Sequence, residues 1–263
     1  MRPRLFAILT ALALLGPAPA ARADDSLIRL AQQTSGAVVM LNVFQHGVKV
    51  GNGTGFFIDD DLILTNHHVV EEARSIEAVL PDRTTLDITG VVVSDEENDL
   101  AVLRSARPNP ITLNLAERQV EVGTRIVVIG SPLGLDSTLS EGIISAYRPD
   151  GLADQGSDFN SPLLQFTAPI SGGSSGSPVL DLNGEVVGVV VAQYRLGQNL
   201  NFAIPSLSAV ALLGNVDTQN LETQTVERRL ATNSEANRSD LVRNGVISLI
   251  VLGFVIWGMR RMR

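Results

Sequence analysis

The chain contains no cysteine among its 263 residues. A disulfide framework, a zinc–thiolate site and a cysteine nucleophile are therefore excluded. Aromatic residues are scarce at 4%, so a core has to be built mainly from Val, Leu, Ile and Ala. Charged residues make up only 18% against 44% hydrophobic, which is the composition of a folded chain and not of a disordered one. Lysine occurs once, at Lys49, and the other bases are all Arg, a composition bias and not a binding signal. Acids are missing before Asp24 and after Asp240, yet between residues 24 and 243 they number 28 against 14 bases. Such a negative surface argues against nucleic acid as a partner.

Both ends differ from the middle. Residues 1–23 carry a basic head (Arg2, Arg4), an apolar run over Leu5–Gly16, and Ala21-Arg22-Ala23 as an A-x-A cleavage site. These are the three parts of a secretory signal peptide, and Asp24 becomes the first mature residue. Residues 244–259 read as a transmembrane helix, in which the apolar run Gly245–Met259 is interrupted only by Ser248. The run is short for a bilayer span of about 20 residues, but Arg243 can snorkel to the headgroups and Trp257 suits an interfacial belt. Arg260, Arg261 and Arg263 follow, so the positive-inside rule puts the tail at 260–263 in the cytoplasm. Residues 214–243 are polar and read as a linker.

What lies between is a series of short β-branched runs punctuated by turn residues. Gly36–Val43, Gly55–Ile58, Ile88–Val93, Ala101–Leu103, Ile126–Ile129 and Val186–Ala192 are separated by signals such as Asp59-Asp60-Asp61, Pro81-Asp82 and Asn183-Gly184. This pattern predicts an all-β sandwich or barrel over residues 34–212. Asn183-Gly184 predicts a hairpin. Short helices are expected over residues 27–33 and 206–213.

Three residue groups carry chemistry. His67 and His68 lie together in Leu64-Thr-Asn-His-His-Val-Val70. Read on a strand they point to opposite faces, and no cysteine or third nearby histidine completes a metal set. Asp99 enters the apolar run Leu100–Leu103, as a partly buried acid in need of a partner or as the end of the solvated loop Asp95-Glu96-Glu97. Ser175 sits in Ser171-Gly-Gly-Ser-Ser-Gly-Ser-Pro178, a Gly/Ser run wedged between apolar segments and so a tight loop, not a linker. Its glycines let N–H groups turn inward, as an oxyanion hole requires. Residues 172–176 also match G-x-S-x-G with Ser174 as nucleophile, but that order needs a histidine after the serine, and none follows residue 68. A subtilisin-like order would need an acid before the histidine, from Asp59–Asp61, and the helix-poor pattern opposes it. His68, Asp99, Ser175 is the order of the chymotrypsin type.

The chain resembles the HtrA (Do-like) branch of the trypsin-like serine proteases from about Gly36 to Leu213. Gly53-Thr-Gly-Phe-Phe-Ile58 with Leu64–Val70 is similar to the catalytic-histidine segment. Asn98-Asp-Leu-Ala-Val102 is similar to the catalytic-aspartate segment. Ile129-Gly-Ser-Pro-Leu-Gly134 with Ser140–Ser145 resembles the start of the second barrel. Ala168–Gly176 resembles the nucleophile loop, and Asn201-Phe-Ala-Ile-Pro205 the segment that closes the domain. Ser174 and Ser177 depart from the family, which usually has Asn before the nucleophile and Gly-Gly after it. The residues beyond Leu213 are too few and too polar for the peptide-binding PDZ domain that commonly follows.

The resemblance implies an all-β fold class: two six-stranded antiparallel barrels of the chymotrypsin/trypsin type. The peptidase domain then covers 24–213, its first barrel about 34–116 and its second about 117–212, with the C-terminal transmembrane helix added. It implies a triad of His68, Asp99 and Ser175, oxyanion donors at the Gly173 and Ser175 N–H groups, and no cofactor or metal. Pro169 stands six before the nucleophile, where trypsin-like enzymes for basic residues carry an acid. With Ile170, Val191, Ala192 and Gln193 it makes an uncharged substrate pocket that favours a small or medium apolar residue before the cut. Val191–Gln193 offers the edge that pairs with extended substrate. The expected partners are polypeptide substrates and the membrane, with the protease domain in the bacterial periplasm on a single-pass inner-membrane anchor. A protease-fold binding module of weak or no activity is the alternative, and oligomeric state stays open.

Overall fold

A computed structural model describes residues 23–130, 138–152, 159–193, 200–214 and 224–225. The expected signal peptide and the apolar run at 244–259 lie outside these residues, apart from Ala23. Among the described residues no helix is long and apolar enough to cross a membrane.

Helix α1 (Ala23–Thr34) leads into β1 (Val38–Gln45), β2 (Val48–Phe57), β3 (Leu62–Thr65), α2 (His67–Val70), β4 (Ser75–Val79), β5 (Thr85–Asp95) and β6 (Leu100–Ser105). The strands run in the order β5-β4-β1-β2-β3-β6, and β5 also pairs with β6, so the sheet closes on itself. A second closed barrel follows from β7 (Arg125–Gly130), β8 (Thr138–Arg148), β9 (Leu163–Phe166), β10 (Pro178–Asp181), β11 (Val186–Gln193) and β12 (Asn201–Pro205). Every pairing between these barrel strands is antiparallel. Closure satisfies the backbone groups that an open sheet would leave at its edges. Helix α3 (Ser206–Gly214) ends the domain. The expected all-β fold with two six-stranded barrels is therefore observed, and so are helices over the two expected terminal segments.

The near-continuous apolar runs have a physical reason. In β7, Ile126 and Val128 fill the interior of the second barrel, while Val127 and Ile129 join the larger core that begins in the first barrel. In β12 Ala203 belongs to the interior, and Phe202 and Ile204 to the shared core. Strands buried on both faces lose the apolar–polar alternation that a half-exposed strand shows. Phe56 and Phe57 are fully buried in the shared core.

Two details differ from the sequence reading. The segment after β3 is a one-turn helix, α2, where the histidine pair reads as strand. Inside the polar stretch read as linker, β13 (Gln224–Thr225) pairs with Gly90 and Val91 of β5. The Asn183-Gly184 hairpin is present between β10 and β11, with Asp181 Oδ1 accepting from the N–H groups of Asn183 and Glu185.

Candidate active site

The first barrel supplies a histidine and an acid. β3 stops at Thr65, and α2 carries His68 into the groove between the barrels. Asp99 lies in the turn from β5 to β6 with φ +50°, a left-handed conformation that Asp tolerates better than most side chains. It is 8% exposed and fully engaged. Its Oδ2 lies 2.7 Å from His68 Nδ1, and its Oδ1 accepts from the His68 backbone N–H at 2.8 Å. Its carbonyl accepts from Asn66 Nδ2 at 3.0 Å and from the His67 N–H at 3.2 Å. One residue thus sets both the ring and the backbone of His68. Of the two readings of Asp99, the structure selects the partnered acid.

His67 goes elsewhere, since its Nδ1 lies 2.5 Å from Ser94 Oγ. Among the described residues no group of histidines and acids is placed to hold a metal. Asp61 pairs with Arg104 at 2.7 Å, which removes it as a partner for His68.

The second barrel supplies the serine, in the loop from β9 to β10. Ser174 and Ser175 are separated by their surroundings. Ser174 is 4% exposed, and its Oγ accepts from the Ser171 N–H at 3.3 Å, so it closes the loop from within. Ser175 is only partly buried and shares an open cleft with His68, Val43, Val50 and Asn52. Its Oγ makes a long contact of 3.4 Å to the Val191 carbonyl. Among the described residues no hydrogen bond joins it to His68, which is usual before substrate arrives. On the other side of His68 a cavity is bordered by Glu71, Glu96 and Glu97.

The loop leaves two of its N–H groups without an acceptor. Gly173 adopts φ +90°. Among the described residues neither its N–H nor that of Ser175 meets an acceptor, whereas the N–H groups of Ser174, Gly176 and Ser177 all do. Two unpaired donors on either side of Ser174, beside a partly exposed hydroxyl, suit an incoming oxyanion. Gly176, at φ +84°, lies so near the first barrel that an added Cβ would come 2.0 Å from the Thr54 carbonyl.

That contact exposes a residue to which sequence reasoning gave no role. Thr54, on β2, donates from its N–H to the Ser175 carbonyl at 2.8 Å and from Oγ1 to the Gly173 carbonyl at 2.8 Å. It ties the nucleophile loop of one barrel to a strand of the other. Its position between Gly53 and Gly55, in a motif already singled out, was the available signal.

Of the residues expected to shape the pocket, Pro169 and Ile170 belong to this loop and Val191–Gln193 end β11. Pro169 is exposed and Ile170 partly buried, packed on the second barrel's interior. β11 pairs with β10 only as far as Val189, but with β12 as far as Gln193. From Val191 through Ala192 to Gln193 the edge away from β12 thus carries no strand partner among the described residues.

A family model described as a trypsin-like peptidase domain matches residues 53–189. A probable periplasmic serine endoprotease, DegP-like, from Brucella suis is 36% identical over 171 residues, covering 62% of this chain and 32% of that protein. A putative serine protease, HhoB, from Synechocystis is 35% identical over 173 residues, covering 64% of this chain and 41% of that protein. The chain therefore spans about a third of the Brucella protein's length. The crystal structure of the serine endoprotease from Yersinia pestis superposes with a TM-score of 0.62 at 27% identity, covering 72% of this chain and 65% of that one.

Proposed function

Because the chain belongs to the trypsin-like peptidase family and is similar to its DegP/HtrA-like members, we propose that it is a serine endopeptidase that cuts polypeptides through an acyl-enzyme. The observation that carries this reading is the 2.7 Å bond from His68 to Asp99, on a ring that borders the cleft holding Ser175. When substrate arrives, Ser175 Oγ turns from Val191 to His68 Nε2 and attacks the scissile carbonyl. His68 takes the proton and returns it to the leaving amine. Asp99 keeps a proton on Nδ1 and stabilises the imidazolium as it forms. The Gly173 and Ser175 N–H groups receive the oxyanion. Water then repeats the sequence to release the acyl group. This chemistry calls for no cofactor.

The pocket beside the nucleophile takes a small or medium apolar side chain before the cut. Pro169 supplies no counter-charge there, and burying an unpaired cation is costly. Substrates are exported polypeptides, with the protease domain on the periplasmic side and the run at 244–259 as its membrane anchor. The Brucella relative, described as periplasmic, supports that placement, as do the basic head and Arg tail flanking the two apolar runs. A serine-reactive fluorophosphonate probe tests the chemistry. The wild-type chain and Ser174→Ala are expected to be labelled and Ser175→Ala is not. A wild-type chain that stays unlabelled while folded overturns the peptidase reading in favour of a binding module.

A further inference from the structure

His68 stands between two cavities that differ in what else they hold. One, of about 300 Å³, has both His68 and Ser175 in its wall, together with Val43 of β1 and Val50 of β2. The other, of about 440 Å³, has His68 but not Ser175, and reaches Asn160 and Ser161 ahead of β9. Glu71 borders both. Glu72 joins it in the first cavity, and Glu96 and Glu97 in the second, while among the described residues no Lys or Arg lines either one. Among the described residues neither Glu71 nor Glu72 forms an ion pair. The carboxylate of Glu72 has a single long contact of 3.4 Å to Gln45 Nε2.

Packing fixes where Glu71 stands. It caps the C-terminal end of α2, three residues after His68. That turn lies directly on β2, since a Cβ at Gly53 would come 2.6 Å from Val69 Cγ1. Glu71 and Val50 are thereby held on the same cavity as the nucleophile. A substrate carbonyl at Ser175 Oγ sends its chain in two directions. Residues before the cut are expected along Val191–Gln193, which belong to the second barrel. Among the described residues every wall residue of the first cavity except Ser175 belongs to the first barrel. This cavity is then the place beside Ser175 for the residues after the cut. Its chemistry is mixed, because Val50 is 52% exposed and Glu71 is exposed with it. Lysine and arginine match both features at once, since their alkyl stems cover apolar surface while the charged head stays in polar surroundings.

We propose that Glu71 is a specificity-determining residue which, with Glu72 beside it, selects substrates carrying lysine or arginine at the first or second position after the scissile bond. This rests on the peptidase reading of Ser175 and names a substrate class for it, polypeptides with a basic residue on the leaving side. The stem of that residue lies against Val43 and Val50, and its head reaches the Glu71 carboxylate. The apolar preference before the cut is untouched. A cation there would be buried without a counter-charge, whereas a cation in this open cavity stays partly hydrated and meets an acid. The attraction is that of an exposed ion pair, so it is modest and weakens with salt.

The test uses the full chain in detergent and two peptides that differ only in having Lys or Gln at the first two positions after the cut. Wild type is expected to show a kcat/KM for the Lys peptide at least about fivefold above that for the Gln peptide at low salt, with the ratio shrinking as salt is added. Glu71→Gln is expected to bring the ratio close to one and Glu71→Lys to invert it. Asp82→Asn, which removes an exposed carboxylate far from the cleft, keeps it. A wild-type ratio near one, or one that salt does not change, overturns the proposal without recourse to any variant. So does a ratio that survives in Glu71→Gln still labelled by the fluorophosphonate, or an equal drop in Asp82→Asn, which would be an effect of net charge. A preference for lysine that shows only when it is placed before the cut also overturns the proposal and moves the basic subsite to the cavity of Glu96 and Glu97. Absence of cleavage together with absence of fluorophosphonate labelling sinks the peptidase reading itself, and this inference with it.

Discussion

Ser174 and Ser175 are chemically alike, and the difference between them lies wholly in what surrounds each hydroxyl. Ser174 is turned into the loop and bonded to the Ser171 N–H; Ser175 borders the cleft with His68. Ser175→Ala is expected to lower kcat on the order of 10⁶-fold with the fold intact, because triad members act as a unit. Ser174→Ala keeps substantial activity and loses about 1 kcal/mol of stability with its hydrogen bond. Peptide hydrolysis and thermal unfolding of both variants decide it, and the reverse pattern would show that the loop is misread by one residue. Asp99→Asn is the complementary experiment. Asn tolerates the +50° φ and still offers an acceptor to the His68 N–H, but its amide no longer selects the working tautomer. A loss on the order of 10⁴-fold in kcat is expected without unfolding.

At the scale of elements, the site depends on strand β2 of one barrel reaching the β9–β10 loop of the other. Thr54 makes that link with two hydrogen bonds, to the carbonyls of the two residues whose N–H groups are the expected oxyanion donors. Thr54→Val keeps the backbone bond to Ser175 and deletes the bond to Gly173. It is expected to lower kcat about tenfold with KM nearly unchanged, part of the effect of losing one oxyanion donor outright. Equal kcat in the two proteins would mean the bond is only structural. Gly176→Ala tests the same joint from the other side. Its Cβ would meet the Thr54 carbonyl at 2.0 Å in a backbone conformation at φ +84° that alanine resists. A destabilisation of roughly 2–4 kcal/mol is expected by thermal unfolding, together with loss of activity. The β4–β5 turn behaves differently, since it is exposed. There Thr84 donates its N–H to Asp82, holding that carboxyl below the usual carboxylate value, far from the cleft.

At the scale of the whole molecule, the barrels share a core through strands buried on both faces, so neither half of the site is held by its own barrel alone. The charge pattern of the chain makes a further prediction. A reporter fused after Arg263 is expected to read as cytoplasmic, while protease added to spheroplasts digests residues 24–240. An ectodomain protected until the membrane is lysed would refute the orientation.

Residue types and their order were enough to identify the all-β class, the candidate triad and the loop that bears Ser175. The reason is that these depend on periodicity, on turn residues and on which nucleophile, base and acid orders exist. The single histidine pair followed by no later histidine removed one hydrolase order without any structure. The choice of His68 over His67 and of Ser175 over Ser174 came from the motif resemblance and not from residue type alone. Whether His67 or His68 meets Asp99 depended on α2 replacing an expected strand, since a helical turn sends adjacent side chains about 100° apart and not to opposite faces. Thr54 was visible as a letter within a recognised motif. Its role comes from contacts to residues far along the chain, Gly173 and Ser175. Those contacts exist only once two barrels have closed and packed, so the tertiary structure alone decided them.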